Sequence, residues 1–413
     1  MTVLSERAEP RQPTWKIAVK VLLVLVLLYF FLGGTAMMGE GLKTLGKNPD
    51  YDKHATEGAK SLEYRPVVYR VFGYADNPLV GLFVGLLATS IFQSSSFTTS
   101  FTVALVATTP LTLHQAIFII MGANIGTSVT NTGVSFTHVR RRDEFERAYG
   151  AAIVHDFFNT LSVLLLFPTE WLVWRLTGKG LLERLAVWMA SVFYSGAPTG
   201  EEPTNFLKEG VKPLVEAVTR LLEGGLGLGH VAASITLMVL GVVFLFAALL
   251  LMTMALRSLI MKRVERFFDR VLFRNDLTAY VVGLLLTATI QSSSVTTSLA
   301  VPLAGAGLLT LRQIFPYTLG ANLGTTVTAL IASFATAADT PAQAQIGVAL
   351  AFSHMLFNAI GSLVWYPLRF VPIGIARWWS HQVGRSRYLA VLHITLFFFV
   401  LPAVVIGLYW LFG

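Results

Sequence analysis

Long apolar runs alternate with short polar segments along this chain. VLLVLVLLYFFL at 21–32 is one such run, and neither 235–252 nor 388–412 contains a charged residue. Uninterrupted apolar stretches of this length cross bilayers; they do not pattern the half-exposed helices of soluble domains. The pattern predicts spanning helices at 15–37, 112–137, 145–168 (stopping at Pro168), 229–257, 311–337, 343–368 and 388–411. Two more apolar segments, 78–110 and 278–309, are each broken by a polar block: QSSSFTTS at 93–100 and QSSSVTTS at 291–298. The longest connection runs from 169 to 228. Within it Phe206, Leu207, Val211, Leu214, Val215, Val218, Leu221 and Leu222 recur at helical spacing, which reads as an amphipathic surface helix.

Composition and charge sharpen this picture. The 413 residues are 54% hydrophobic and 13% charged, about half the charge of a soluble protein. The net charge of +8 would suit nucleic-acid binding, but the bases flank apolar runs: Arg140–Arg142, then Lys262, Arg263, Arg266, Arg270 and Arg274, then Arg369, Arg377, Arg385 and Arg387. That is the positive-inside pattern, and it excludes nucleic acid as a partner. Arg11, Lys16 and Lys20 put the N-terminus in the cytoplasm, and the first apolar run is too long for a signal peptide. With no cysteine, disulfides and thiolate chemistry are ruled out. If neither broken segment crosses, all the basic clusters fall inside and 169–228 falls outside. The first broken hairpin then enters from outside and the second from inside.

The two broken segments belong to an internal repeat. Residues 85–130 align with 283–328 without a gap, and 24 of the 46 positions are identical. The shared blocks include QSSS, TTS and GAN-x-GT. With a one-residue shift, His155 and Asn159 match His354 and Asn358. Two long copies in a membrane chain suggest transporter architecture. The expected fold is an all-α polytopic membrane protein: about seven spanning helices plus two re-entrant hairpins in an inverted two-fold repeat. The units are an N-terminal segment (1–77), repeat 1 (78–168), an extracellular loop (169–228), a span with a basic linker (229–277), repeat 2 (278–368), and a linker with the last span (369–413).

Backbone groups at membrane depth must be paired in protein or face a water-filled cavity. A hairpin tip offers free N–H groups and a positive helix end, and serine hydroxyls beside it add donors, which together cradle an anion. Gln93, Ser94, Ser95 and Ser96 on one tip, with Ser292, Ser293 and Ser294 on the other, are the candidate anion ligands. Lys and Arg are absent from 78–137, and Arg312 is the only one in 278–337. A multiply charged anion there needs cations to accompany it. Hard oxygen donors suit sodium: Thr98, Thr99, Thr127, Thr130, Thr296, Thr297, Thr325 and Thr328, with Asn124 and Asn322 of the GAN-x-GT stretches, whose glycines would allow the helices to unwind. His155 and His354 read as structural hydrogen bonders, since no pattern completes a transition-metal site. Asp156 is the only acid in 147–169, and its repeat partner is Met355. It reads as a cation or proton site present in one half only. A single QSSS would be ordinary helix packing; two in register are not. No nucleophile–base constellation points to an enzyme.

These motifs resemble those of the type II sodium-dependent phosphate cotransporters, over most of 15–410. The resemblance implies sodium-driven import of inorganic phosphate at the inner (plasma) membrane, with phosphate held between the QSSS tips. It implies sodium ligands at Gln291, Ser292, Thr325 and Thr328. The aspartate of VHDFFN, here Asp156, marks the electrogenic members. No cofactor is expected beyond sodium as coupled substrate; the partners are phosphate, sodium and lipid, with homodimerisation allowed. The chain departs from animal relatives in lacking the outer-loop disulfide, in its short loop and in ending after the seventh expected span. On the residues alone, another oxyanion, a carboxylate or an anion channel stay open.

Overall fold

The computed structural model of the chain describes residues 14–46, 77–108, 111–194, 206–268, 275–335 and 341–412. Arg11, Arg270, Arg274 and most of the expected outer loop (47–76) lie outside them. Every regular element among the described residues is helical. In the first half these are α1 (Thr14–Gly46), α2 (Pro78–Phe92), α3 (Ser95–Thr108), α4 (Leu113–Gly126), α5 (Ser128–Ser135), α6 (Arg142–Thr177), α7 (Leu181–Tyr194) and α8 (Phe206–Arg220). The second half holds α9 (His230–Phe268), α10 (Asp276–Ile290), α11 (Ser293–Ser298), α12 (Ala300–Gly305), α13 (Leu311–Ala335), α14 (Pro341–Trp365), α15 (Phe370–Arg385), α16 (Tyr388–Thr395) and α17 (Leu401–Phe412).

Among the described residues six stretches are long and apolar enough to cross a membrane: Trp15–Gly41, Leu113–His138, Arg142–Thr177, His230–Leu259, Ala342–Trp365 and Tyr388–Phe412. The seventh expected span is α13. Its 25 residues reach about 37 Å, but it carries Arg312, Gln313, Asn322 and four threonines, Thr318, Thr325, Thr326 and Thr328. Asn322 and these threonines are buried, so α13 faces protein and its lower apolarity follows. The outer helices show the opposite balance. In the 18-residue apolar window of Trp15–Gly41 28% is buried and in that of Tyr388–Phe412 17%, against 83% for Leu113–His138. Leu22, Leu25, Leu251 and Leu411 stand exposed. Large exposed apolar surface of this kind marks a lipid-facing wall.

One sequence expectation is corrected. α6 does not stop at Pro168 but runs through it to Thr177. The proline removes the donor to the Leu164 carbonyl, a loss that membrane helices tolerate; one residue on, Thr169 Oγ1 donates to the Leu165 carbonyl, 2.7 Å. The helix ends at Gly178, whose φ of 77° gives the left-handed cap that favours glycine. The 169–228 connection contains α7 as well as α8, and α8 turns its apolar face to protein: Val211 is buried and Leu214 lies against Gly33 of α1. The 369–387 linker is largely α15, packed on α6.

Matched helices pack alike in the two halves. α2 lies on α4, and α10 on α13. A Cβ at Gly85 would strike the Ile119 carbonyl, and one at Gly283 the Tyr317 carbonyl, 198 residues on. Gly122 and Gly320 meet the carbonyls of Leu82 and Tyr280 in the same register. Close approach of helix backbones through small residues is how membrane helices gain packing without a hydrophobic drive. The two halves also interlock: α14 packs on α3, and α6 on α12.

Candidate functional site

The polar blocks break their helices where the sequence placed them. Asn77 caps α2 through its side chain, with Pro78 in the first turn, and Asn275 caps α10. Both helices then end at a glutamine in the left-handed region, Gln93 at φ 53° and Gln291 at φ 59°. Among the described residues these are the only non-glycine positions with positive φ. Such strain costs about 1–3 kcal/mol and gathers at functional sites. The chain then turns back. Thr89 Oγ1 donates to Thr98 Oγ1 at 2.9 Å, although nine residues of continuous helix would separate them by about 13 Å. Ser94 and Ser292 restart the helices in the same way, each accepting a backbone N–H three residues on, from Phe97 at 3.2 Å and from Val295 at 3.3 Å.

The tips meet. Ser96 Oγ donates to the Gln291 carbonyl at 3.1 Å, and Ser95, Ser96, Ser293 and Ser294 are all buried. Gln93 is exposed, whereas the Gln291 side-chain oxygen is buried. A second bridge crosses nearby, from Asn131 Nδ2 to Thr297 Oγ1, 2.7 Å. A separate cavity of about 500 Å³ between α1, α8 and α9, lined by Glu40, Lys212 and Arg220, contains no expected site residue.

Beneath the tips the repeats clasp one another crosswise. His155 of α6 bonds through Nε2 to the Asn322 side-chain oxygen of α13, and Asn322 Nδ2 donates to Asn159 Oδ1 at 2.8 Å. In the mirror arrangement, His354 and Asn358 of α14 both reach the Asn124 side-chain oxygen of α4, each at 3.2 Å. Each repeat's His-x3-Asn thus holds the other repeat's GAN asparagine.

The comparisons bear on this arrangement. The pattern defining the Na+/Pi-cotransporter family matches residues 53–145 and 243–376, over half the chain and including both tips and both GAN-x-GT stretches. The chain belongs to the Na+/Pi-cotransporter family. It is therefore a member of a transporter family, not an enzyme family, and a multi-pass membrane protein. Similar curated proteins include the sodium-dependent phosphate transport protein 2B of Homo sapiens, 31% identical over 418 residues, covering 80% of this chain and 59% of that protein. The 2A proteins of Rattus norvegicus and Ovis aries are 33% and 32% identical, each covering 80% of this chain and 61% of the relative. The chain spans about three fifths of the length of these relatives. No solved structure matches it.

In this family member seven of the expected sodium ligands fall into three groups. Thr127 and Thr325 donate to carbonyls one turn back, both at 3.1 Å, which leaves their oxygen lone pairs open as acceptors. Thr130 Oγ1, Thr328 Oγ1 and Gln291 Oε1 are buried with no hydrogen-bond partner among the described residues. Buried oxygens without donors are costly unless something positive meets them. Thr130 and Thr328 also occupy matched repeat positions. Asn124 and Asn322 differ, since their side-chain oxygens already accept from the clasps.

The GAN-x-GT stretches are not unwound, which corrects the expectation. α13 runs unbroken through Gly324, and the α4–α5 junction at Thr127 keeps right-handed helical angles. The glycines serve close packing instead: a Cβ on Gly126 would press the Leu86 carbonyl, and one on Gly324 the Leu284 carbonyl.

Asp156 is 1% exposed and sits apart from the tips. One residue along α6 from His155, it turns about 100° away. Its Oδ2 lies 3.5 Å from His393 Nε2 of α16, and its Oδ1 accepts from Thr160 at 3.5 Å. Tyr149 approaches His393 Nδ1 at 2.9 Å. The sequence reading missed His393, Asn131, and the unpartnered oxygens of Ser100 and Thr287. Only Ser100 and Thr287 had a signal, through the repeat.

Proposed function

We propose that the chain imports inorganic phosphate coupled to sodium, by alternating access. Phosphate binds between the QSSS tips, contacted by Gln93, Ser94, Ser95 and Ser96 and by Ser292, Ser293 and Ser294. The observation that carries this reading is the direct Ser96–Gln291 contact between two strained, serine-capped helix starts. Helix starts and hydroxyls favour an oxyanion. No lysine or arginine of the sequence lies on either tip, so the charge balance comes from sodium. Gln291, Ser292, Thr325, Thr328, Thr127 and Thr130 are the sodium ligands in this reading, supported by the unpartnered buried oxygens. The printed names of the relatives give sodium-dependent phosphate transport, which agrees with it.

In the same reading the tips belong to re-entrant hairpins entering from opposite faces of the inner membrane, with the N-terminus cytoplasmic and the repeats inverted. The matched glycine contacts and the crossed clasps support that symmetry. Transport moves the hairpins and clasped helices against a scaffold that includes α1 and α9. Asp156 adds a further cation, making transport electrogenic. Radiolabelled phosphate uptake into proteoliposomes, with sulfate and carboxylates as competitors, tests the substrate: unlabelled phosphate competes and the others do not. Equal competition by sulfate overturns the assignment to phosphate.

A further inference from the structure

Away from the tips, at the opposite end of α4 from its GAN asparagine, three ligating side chains from three helices converge. His114 stands in the first turn of α4, Glu170 in the last turns of α6 and Glu183 in the first turn of α7. One donor atom from each can be chosen so that all lie within 4.8 Å of one another.

Helix capping accounts for part of this cluster. Glu170 accepts the Leu182 and Glu183 amides at 2.6 and 3.2 Å, and Glu183 accepts the Gly180 amide at 3.2 Å. Gly180 is held so close to Glu170 that a Cβ would overlap the carboxylate. Capping does not account for His114. The residue is 9% exposed, yet neither ring nitrogen has a hydrogen-bond partner among the described residues. The imidazole is fixed, stacked on Trp174 at 4.4 Å with Phe118 edge-on at 5.0 Å. Its Nδ1 points to Glu183 Oε2 at 3.8 Å, too far for a hydrogen bond. Two ligands about 2.1 Å from one tetrahedral zinc ion lie about 3.4 Å apart, so a small contraction would let one ion bridge them. Glu170, 1% exposed, has no ion-pair partner among the described residues, and Glu183 pairs only with His114. Burial pushes the Glu183 carboxyl above its ordinary range, against the pull of Lys179 and Arg184.

We propose that His114, Glu170 and Glu183 form a divalent transition-metal site, fitted to Zn2+, that ties the start of α4 to the end of α6 and the start of α7. One imidazole and two carboxylates make a zinc-type donor set, and magnesium and calcium prefer oxygen alone. The inference does not depend on the phosphate or sodium reading. Because α4 also carries Asn124, bound zinc would restrain a helix that takes part in the clasps.

The test uses the tag-free, chelator-stripped full chain in detergent. Titration with ZnCl2 is expected to give one saturable site per chain and a raised thermal midpoint, with no competition from Mg2+. His114→Gln and Glu183→Gln should each weaken zinc binding by about tenfold or more; Glu170 is left intact because it caps α7. The chain has no cysteine, so His114→Cys places a unique thiolate in the cluster. Co2+ added to that variant should then give a sulfur-to-cobalt charge-transfer band absent from the wild type. Wild-type protein that takes up no stoichiometric zinc overturns the proposal. So do monodisperse Gln variants that bind zinc as the wild type does, or a monodisperse His114→Cys protein without the band.

Discussion

The crossed clasp makes a quantitative prediction. Asn322→Ala removes the amide that both accepts from His155 and donates to Asn159. Interhelical hydrogen bonds in membrane proteins average about 0.6 kcal/mol, with a maximum near 1.7. Losing two therefore costs about 1–3 kcal/mol, more if the orphaned imidazole finds no water. A cycle of His155→Ala, Asn322→Ala and the double variant isolates the pair, with an expected coupling of about 0.6–1.7 kcal/mol. The mirror cycle, His354→Ala with Asn124→Ala, should give a similar value, because His354 is bonded to Asn124 in the same way. The decisive control is His354→Ala with Asn322→Ala, the pairing that uncrossed clasps would require. It should couple more weakly than either crossed pair, because His354 reaches Asn322 only through Asn124 and Asn159. The assay is reversible denaturant unfolding in mixed micelles, followed by tryptophan fluorescence. Coupling in the control equal to that in the crossed pairs would refute the exchange of asparagines between repeats.

Three further predictions follow from the same geometry. Thr328→Val removes a buried oxygen that has no hydrogen-bond partner; it should leave thermal stability unchanged or slightly raised while the sodium concentration for half-maximal uptake rises about tenfold, the equivalent of 1.4 kcal/mol, and unchanged sodium dependence counts against Thr328 as a ligand. Gly320→Val forces side-chain atoms into the Tyr280 carbonyl and should destabilise the protein by about 1–3 kcal/mol or more, whereas the same change at Gly133, with open space around it, should be mild; equal thermal shifts would contradict the helix-packing account. Asp156→Gly removes the buried carboxylate beside His393 and should lower the current carried per phosphate, an effect that simultaneous current and tracer-flux recording would disprove by returning an unchanged ratio.

The helices and both breaks were legible because each follows from a local rule. Apolar length marks a span, and QSSS interrupts it at Gln93 and Gln291. The repeat carried more, since a constant offset of 198 anticipates the matched packing of Gly85 and Gly283. Other features depend on contacts that no local pattern encodes. Nothing in SHMLFN says that His354 binds Asn124 rather than Asn322, because the exchange arises from how the two halves interleave. The GAN-x-GT glycines suggested unwinding, since glycine loosens helices, but tight packing of α2 and α10 on them won. Pro168 read as a stop under rules for water-exposed helices. In the structure the helix passes through it to Thr177, as membrane helices tolerate proline. α13 shows the reverse case: a helix long enough to span looked apolar beside its neighbours, but its threonines and Asn322 belong to the interior.

In the proposed mechanism an anion held between tips without a fixed cation must travel with sodium. Phosphate uptake in proteoliposomes under an imposed inward sodium gradient, compared with the same vesicles given equal sodium on both sides or potassium instead, measures this directly. The account predicts transient accumulation of phosphate above its external concentration with the gradient, and none without it. Accumulation or flux that proceeds equally in potassium would contradict it.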